Sequence, residues 1–205
     1  NMPALALIEK LREEFKDVKI VAELDDSIYE VPLSSPYRWT DQHRWSVEHL
    51  HRSDAVICST DYLKRSVVEV VGDKPVHVAP NCINPKIWKP TGKNKYLKHR
   101  GGKVYRIGYV GGAAHDEDLK IVYKAILPII RKHTKFIIRY GGYRPKWLKE
   151  HPDIDFKSVA WNMDEYPQEL VNMELDLALA PLRDSEFNRC KSNLKWIEWA
   201  SLNVP

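Results

Sequence analysis

The chain has 205 residues, is 43% hydrophobic and 29% charged, and carries a formal net charge of +4. These values fit a globular protein of one large domain or two small ones and do not point to nucleic acid. No run approaches the roughly 18 apolar residues of a membrane span, and the start, NMPALALIEKLREEF, has neither a basic n-region nor a cleavage site. Cys58, Cys82 and Cys190 lie far apart with no C-x-x-C pair, which predicts free thiols in a reducing, cytoplasmic setting.

Leu5, Leu7, Ile8, Leu11 and Phe15 recur at helical spacing and predict a helix over 4–15. VKIVAEL (18–24) reads as a buried strand ended by Asp25 and Asp26. A Pro- and Ser-rich loop follows, then a helix over 41–52. DAVICS (54–59) is the next strand, with Thr60 or Asp61 placed to cap the helix DYLKRSVVEVV. KPVHVAP (74–80) is the third strand. Helices alternating with strands predict a parallel sheet with crossover connections.

The alternation breaks at PKIWKPTGKNKYLKHRGGK (85–103), which holds seven Lys or Arg residues and no acid. The bland reading is a solvated linker. The sharper one is a patch, 86–103, that meets an anionic membrane surface or substrate. Strands then return at 103–110, 134–142, 154–161 and 174–182. The intervening helices are EDLKIVYKAILPIIRKH, a short one near PKWLKEH, DEYPQELVNM and a last NLKWIEWASL. The fold expected is α/β, with two Rossmann-like parallel sheets. Residues 1–84 form one domain, 85–103 a basic linker and 104–205 a second domain. Both sheets look incomplete at the chain ends.

Such sheets bind ligands just past the carboxyl ends of their strands. Gly111 and Gly112 allow a tight turn and a close backbone approach, and the helix after them offers free N–H groups to a phosphate. Neither the dinucleotide fingerprint nor a P-loop is present, which disfavours an NAD enzyme. His115 and Asp116 would also serve as plain helix caps. Asp25 and Asp26 could hold a metal, bind sugar hydroxyls or cap a turn, and capping is the plainest of the three. No His/Cys/Asp cluster has metal spacing. In the last helix Leu194, Ile197 and Ser201 are expected to face the core, with Glu198 at the mouth of a cleft. Lys191 and Lys195, four apart, are expected to share the helix N-terminal face, where a diphosphate would be favoured. An exposed, salt-linked face of Lys191, Lys195 and Glu198 is the alternative.

PVHVAPNCINPKIWKP, RIGYVGGAAHDEDL, DAVICSTDYLKRSV, VAELDDSIYEVP and LDLALAPLRDSEFNRCKSNLKWIEWASLNVP occur in one order along nearly the whole chain. Together they resemble segments of retaining GT-B glycosyltransferases, in particular a sub-group of family-four enzymes. The resemblance implies two Rossmann-like domains facing across a cleft. It also implies transfer of a sugar, with retention, from a UDP- or GDP-sugar to the hydroxyl of a glycan or lipid-linked acceptor, with no metal or other cofactor required. By position it gives Glu198 the ribose hydroxyls, and Gly111, Gly112 and His115 the diphosphate loop. Lys191, Ser192, Asn193 and Leu194 fall on the phosphate- and sugar-facing turn, Asn162 and Met163 beside the base, and Asp26 in the acceptor-side acidic stretch. Cys190 stands where many members have an acid, with Glu186 the nearest substitute. The Arg and Lys usual at the glycine loop are missing, and Asn203 replaces a Gly, an exchange that a left-handed backbone tolerates. The chain looks truncated at both ends relative to the family. A truncated non-catalytic module that binds a nucleotide or a protein, with sheet edges prone to self-association, is the competing reading.

Overall fold

A computed structural model describes residues 2–28, 31–33, 35, 42–89, 104–132, 136–147, 154–157, 159 and 162–205. The chain divides into two compact units. The first comprises Asn1–Asn81 with Asp184–Ser192, and the second Cys82–Arg183 with Asn193–Pro205. The stretch Asp184–Ser192, which the sequence reading left with the second domain, thus packs with the first unit.

In the first unit, helices α1 (Met2–Glu14), α2 (Gln42–Arg52) and α3 (Asp61–Val71) alternate with strands β1 (Val21–Leu24), β2 (Ala55–Cys58) and β3 (Val76–Val78). The sheet has the order β1-β2-β3 and is parallel, with Leu24 opposite Cys58 and Cys58 opposite Val78. Its core is Leu50, Val56, Cys58, Leu63, Val67, Val76 and Cys190. Of the two candidate caps, Thr60 is the one used: its Oγ1 accepts from the Leu63 N–H at 3.1 Å. Gly72 ends α3 at φ 63°, where a side chain would be strained. The Lys74 ammonium completes α2, donating to the carbonyls of Leu50 at 2.6 Å, His51 at 2.7 Å and Ser53. These are orphan carbonyls at the negative end of the helix.

The second unit carries β4 (Tyr105–Gly111), α4 (Asp116–Lys132), β5 (Phe136–Gly142), β6 (Ile154–Lys157), α5 (Tyr166–Asn172), β7 (Leu177–Ala178) and α7 (Leu194–Ser201). Its parallel sheet runs β6-β5-β4-β7. The chain moves outward from β4 to β6, then returns to place β7 on the other side of β4. This is a topological switch point between β4 and β7. Alternation along β4 sends its residues to two faces. Val110 joins Tyr166, Leu170, Trp199 and Trp88, whereas Ile107 and Tyr109 pack with Leu119 and Ile126 of α4.

The α/β class and the two parallel sheets agree with the sequence reading, and the exceptions are local. A short helix α6 (Glu186–Arg189) stands in the 182–193 loop, capped by Ser185, whose side chain accepts from the Asn188 N–H. The expected strand 174–182 has only two residues in strand geometry. Glu174 sits at φ 48° just before it, and Pro181 removes a donor just after it. Its pairing still extends, through Asp176 N–H to Arg106 O and Leu179 N–H to Gly108 O, both at 2.8 Å. On α7 the buried residue is Trp199, and Leu194, Ile197 and Ser201 are only partly covered. The short helix near PKWLKEH and the basic stretch fall largely on 148–153 and 90–103, outside the described residues. Trp88, just before that stretch, packs edge-on to Tyr166 at 6.0 Å. The three cysteines are free.

Candidate functional site

The second unit places its polar groups at the carboxyl ends of β4 and β7, the position where open parallel sheets take ligands. β4 ends at Gly111. A Cβ built there would lie 2.5 Å from Cζ of Tyr109 and nearer still to its hydroxyl, so only glycine fits. Gly112 is the opposite case. Its backbone is extended (φ −87°, ψ 177°) and a Cβ would meet nothing within 4 Å, which leaves its face open to an approaching group. A single 3-10 turn, Ala113–His115, leads into α4.

The three acids at the start of α4 are all compensated. Asp116 accepts from Trp147 Nε1 at 2.9 Å and Tyr143 OH at 3.3 Å and pairs with Lys120. Glu117 pairs with Lys120 at 2.5 Å. Asp118, 2% exposed, holds His115 Nδ1 at 2.8 Å and accepts from the Arg183 N–H at 2.9 Å.

Helix α7 brings Lys195 and Glu198 to the same sheet end. The Lys195 ammonium donates to the carbonyl of Val110 at 2.6 Å and lies 5.4 Å over the Tyr109 ring. Glu198 accepts from the Tyr166 hydroxyl and feels the charge of Lys195. Burial raises the Glu198 pKa above the ordinary carboxylate value, against the pull of those two partners. Burial, and then the Glu198 charge, push the Tyr166 phenol up as well. A half-buried carboxylate with one donor already in place can accept further hydroxyls from a ligand. Asn193 is the N-cap position of α7, its carbonyl taking the Trp196 and Ile197 N–H groups, and Leu194 is the first helical residue. Asn162 is exposed and turns the chain into α5, its side chain accepting from Asp164 N–H and its carbonyl from Tyr166 N–H. Met163 beside it is exposed.

The remaining predicted residues belong to the first unit. Lys191 lies ahead of α7 and its ammonium binds Asp26 Oδ2 at 2.7 Å, so it does not share a helix face with Lys195. Asp25 accepts from the Asn81 side chain, which also donates to Ser192 Oγ at 2.9 Å. The Asp25 carbonyl accepts from Ser59 Oγ at 2.7 Å. The Asp26 side chain therefore ties the end of β1 to the 184–192 segment directly, and the Asp25 side chain does so through Asn81. Thr60 Oγ1 donates to the Cys190 carbonyl at 2.8 Å. Glu186 is engaged by Tyr62 OH at 2.5 Å and by Arg189 at 3.1 Å. This polar cluster crowns the carboxyl ends of β1, β2 and β3. Among the described residues no group of three His, Cys, Asp or Glu has metal-binding geometry. No helix among them is long and apolar enough to cross a membrane.

Tyr109 and Tyr166 went unnoticed in the sequence, where Asp118 reads only as one of three acids that suit the dipole of the helix after Gly112 and would disfavour a phosphate too near them. The signals available were the i, i+3 spacing of His115 and Asp118 and the placement of Tyr109 two residues before Gly111 on one strand face.

No family model matches the chain. The "Putative teichuronic acid biosynthesis glycosyltransferase TuaH" of Bacillus subtilis (strain 168) is 24% identical over 176 residues, covering 76% of this chain and 40% of that relative. Among solved structures is one described as "Trehalose-6-phosphate from E. coli bound with UDP-2-fluoro glucose". It matches at TM-score 0.59 and 14% identity, covering 95% of this chain and 53% of the other. The α,α-trehalose 6-phosphate synthase of Burkholderia multivorans gives 0.58 and 13%, over 95% and 51%. Anabaena HepE in complex with UDP and glucose gives 0.51 and 14%, over 78% and 45%. The chain thus spans roughly half the length of the proteins it matches. At these identities the likeness establishes the fold, two Rossmann-like units of the GT-B type, in agreement with the resemblance drawn from the sequence.

Proposed function

We propose that the chain is the core of a retaining glycosyltransferase. It would move a sugar from a UDP- or GDP-sugar to an acceptor hydroxyl in polysaccharide or glycoconjugate assembly. The observation that carries this reading is the cluster at the β4–β7 switch point of the second unit. There an open glycine backbone, a helix start, Lys195 and a half-buried Glu198 converge on one sheet end. The solved structures of the same fold bound with UDP-2-fluoro glucose, and with UDP and glucose, support a nucleoside diphosphate as the group recognised. The relative named for teichuronic acid biosynthesis supports a glycan product.

The chemistry suits those residues. Transfer breaks the anomeric C–O bond to the diphosphate and forms a bond to the acceptor oxygen, whose proton departs. Negative charge grows on the leaving diphosphate, and preorganised N–H groups and a lysine stabilise it most in a site that excludes water. Glu198 would accept the vicinal ribose hydroxyls and fix the nucleoside. In the first unit, Asp26, Lys191, Asp25, Asn81 and Ser192 offer alternating donors and acceptors suited to the hydroxyls of an acceptor sugar. The basic stretch 86–103 would meet an anionic acceptor or membrane surface.

Incubating the chain with UDP-glucose and GDP-mannose and following release of UDP or GDP tests this reading. Release of one nucleoside diphosphate, lost in Glu198→Ala, is the expected result. Release of neither, from a chain that binds neither donor, would set the enzyme reading aside.

A further inference from the structure

Helix α4 covers the sheet of the second unit with one face, through Leu119 and Ile126, and leaves the other face bare. The helical period sets Ile121, Ala125, Pro128 and Ile129 on that outer side. All four are exposed, Ile121 to 52% and Ile129 to 47%. A single exposed isoleucine is ordinary, but an apolar stripe along one face is not what a solvated helix presents to water. Because α4 joins two parallel neighbours, it runs back along the sheet and its last turn lies by the strand starts. At the start of β4, Tyr105 is on the same strand face as Ile107 and Tyr109, which pack with α4, and it is 50% exposed.

The charge around this stripe has one sign. Between Asp118 and Glu150 the sequence holds nine Lys or Arg residues and no Asp or Glu. Lys124 and Lys132 are exposed on the outer side of α4 itself. Arg144 and Lys146 are exposed on the segment that packs beside α4 through Tyr143 and Trp147. The acids at the helix start do not offset them: Asp116 and Asp118 are buried, and Asp116 and Glu117 are paired with Lys120. This combination selects the occupant. A second copy of the chain would set two basic faces against each other. A nucleic acid would call for stacking, which isoleucine does not offer. A protein interface keeps charge out of its centre, whereas Lys124 stands within the stripe, between Ile121 and Pro128. A bilayer surface suits that arrangement, since a lysine stem lies along apolar surface while its ammonium stays among the headgroups. A half-exposed tyrosine suits the same boundary.

We propose that the outer face of α4 is a docking surface for an anionic lipid bilayer, with the helix lying in the plane of the interface. Ile121, Ala125, Pro128 and Ile129 enter the boundary between headgroups and acyl chains, and Lys124, Lys132, Arg144 and Lys146 meet lipid phosphates. Each contribution is weak alone, and the two together hold the chain reversibly. The surface is built from other residues than the stretch 86–103 and the β4–β7 sheet end, and it does not rest on the glycosyltransferase reading.

The test is cosedimentation of the chain with vesicles of phosphatidylcholine alone and of phosphatidylcholine and phosphatidylglycerol in equal parts. Binding to the mixed vesicles only, weakened by salt, is the expected result. Lys124→Gln together with Lys132→Gln should lower the partition constant about 25-fold, at about fivefold for each basic residue near an anionic surface. Ile121→Gln together with Ile129→Gln should lower it at least about tenfold. This second pair should leave the unfolding midpoint nearly unchanged, because both side chains already face water. Binding that survives both pairs overturns the assignment and places the lipid contact elsewhere on the chain, as on 86–103. Absence of binding to the mixed vesicles overturns it too, as does equal binding to the two vesicle types. Light acetylation of the unaltered chain guards against misfolded variants. Lys124 and Lys132 should lose reactivity several-fold when mixed vesicles are added, and unchanged reactivity at both overturns the proposal.

Discussion

Adjacent glycines in the same loop are predicted to respond in opposite ways to one methyl group. At Gly111 a Cβ would sit 2.5 Å from Cζ and 2.8 Å from Cε1 of Tyr109. The tyrosine cannot retreat easily: it is 1% exposed, it packs with Leu119 and Ile126, and Lys195 lies over its ring. Overpacking of this kind costs about 1–3 kcal/mol, and the rigid ring places Gly111→Ala in the upper half, about 2–3 kcal/mol. At about 2–4 °C per kcal/mol for a chain of this size, the unfolding midpoint should fall by about 4–12 °C. Gly112→Ala has open space and an extended backbone that alanine adopts freely. It should leave the midpoint within about 2 °C or raise it slightly by restricting the unfolded chain. Gly112→Ala should nevertheless weaken nucleoside diphosphate binding, because the methyl group occupies the face left open to a ligand. Thermal unfolding with and without UDP or GDP reads both effects. Equal destabilisation by the two variants, or a neutral Gly111→Ala, would refute the idea that Gly111 exists to accommodate the Tyr109 hydroxyl.

Other consequences follow from single contacts. Thr60→Ala removes the N-cap of α3 and the bond to the Cys190 carbonyl; it should cost about 1–3 kcal/mol in urea unfolding and speed tryptic cleavage at Arg189. Lys74→Met strips the ammonium from three carbonyls at the end of α2; a loss of about 1–2 kcal/mol is expected by chemical denaturation, moderated by water at the partly open site. Glu198 has its pKa raised on folding by burial. Its stabilising contribution is therefore complete below the unfolded glutamate pKa of about 4 and is lost as the pH rises through the folded value. Glu198→Gln should accordingly be more stable than the unaltered chain at pH 7, with the gain vanishing below about pH 4. An advantage independent of pH would contradict the burial argument.

The alternation of elements was legible because it rests on local signals. Apolar runs such as DAVICS and RIGYV, and the Thr60 cap, declare themselves over a few residues. The left-handed backbone at Asn203, read from its place in a Gly position, is observed at φ 55°. What stayed hidden depends on tertiary packing. Spacing placed Leu194 and Ile197 toward the core, but the interior is reached by Trp199, which meets Val110 and Leu170. Lys191 and Lys195 are four apart in sequence, yet the helix begins only at Leu194, so Lys191 is free to pair with Asp26. The engagement of Glu186 by Tyr62, 124 residues away, has no local signature. Nor could the sequence show that Asp118 would be buried and used to hold a histidine, since an acid in the first turn of a helix is ordinarily a solvated partner of the helix dipole.

The measurement that tests the central claim most directly is a thermal-shift panel with UDP, GDP, ADP, CMP and NAD on the chain and on Glu198→Ala. A ligand at a hundred times its Kd adds about 2.7 kcal/mol, a rise of several degrees for a chain of this size. The account predicts such a rise with UDP or GDP alone, abolished by Glu198→Ala. A flat response to every nucleotide, or a rise that Glu198→Ala leaves intact, would contradict the assignment of a nucleotide-sugar donor site to the β4–β7 sheet end.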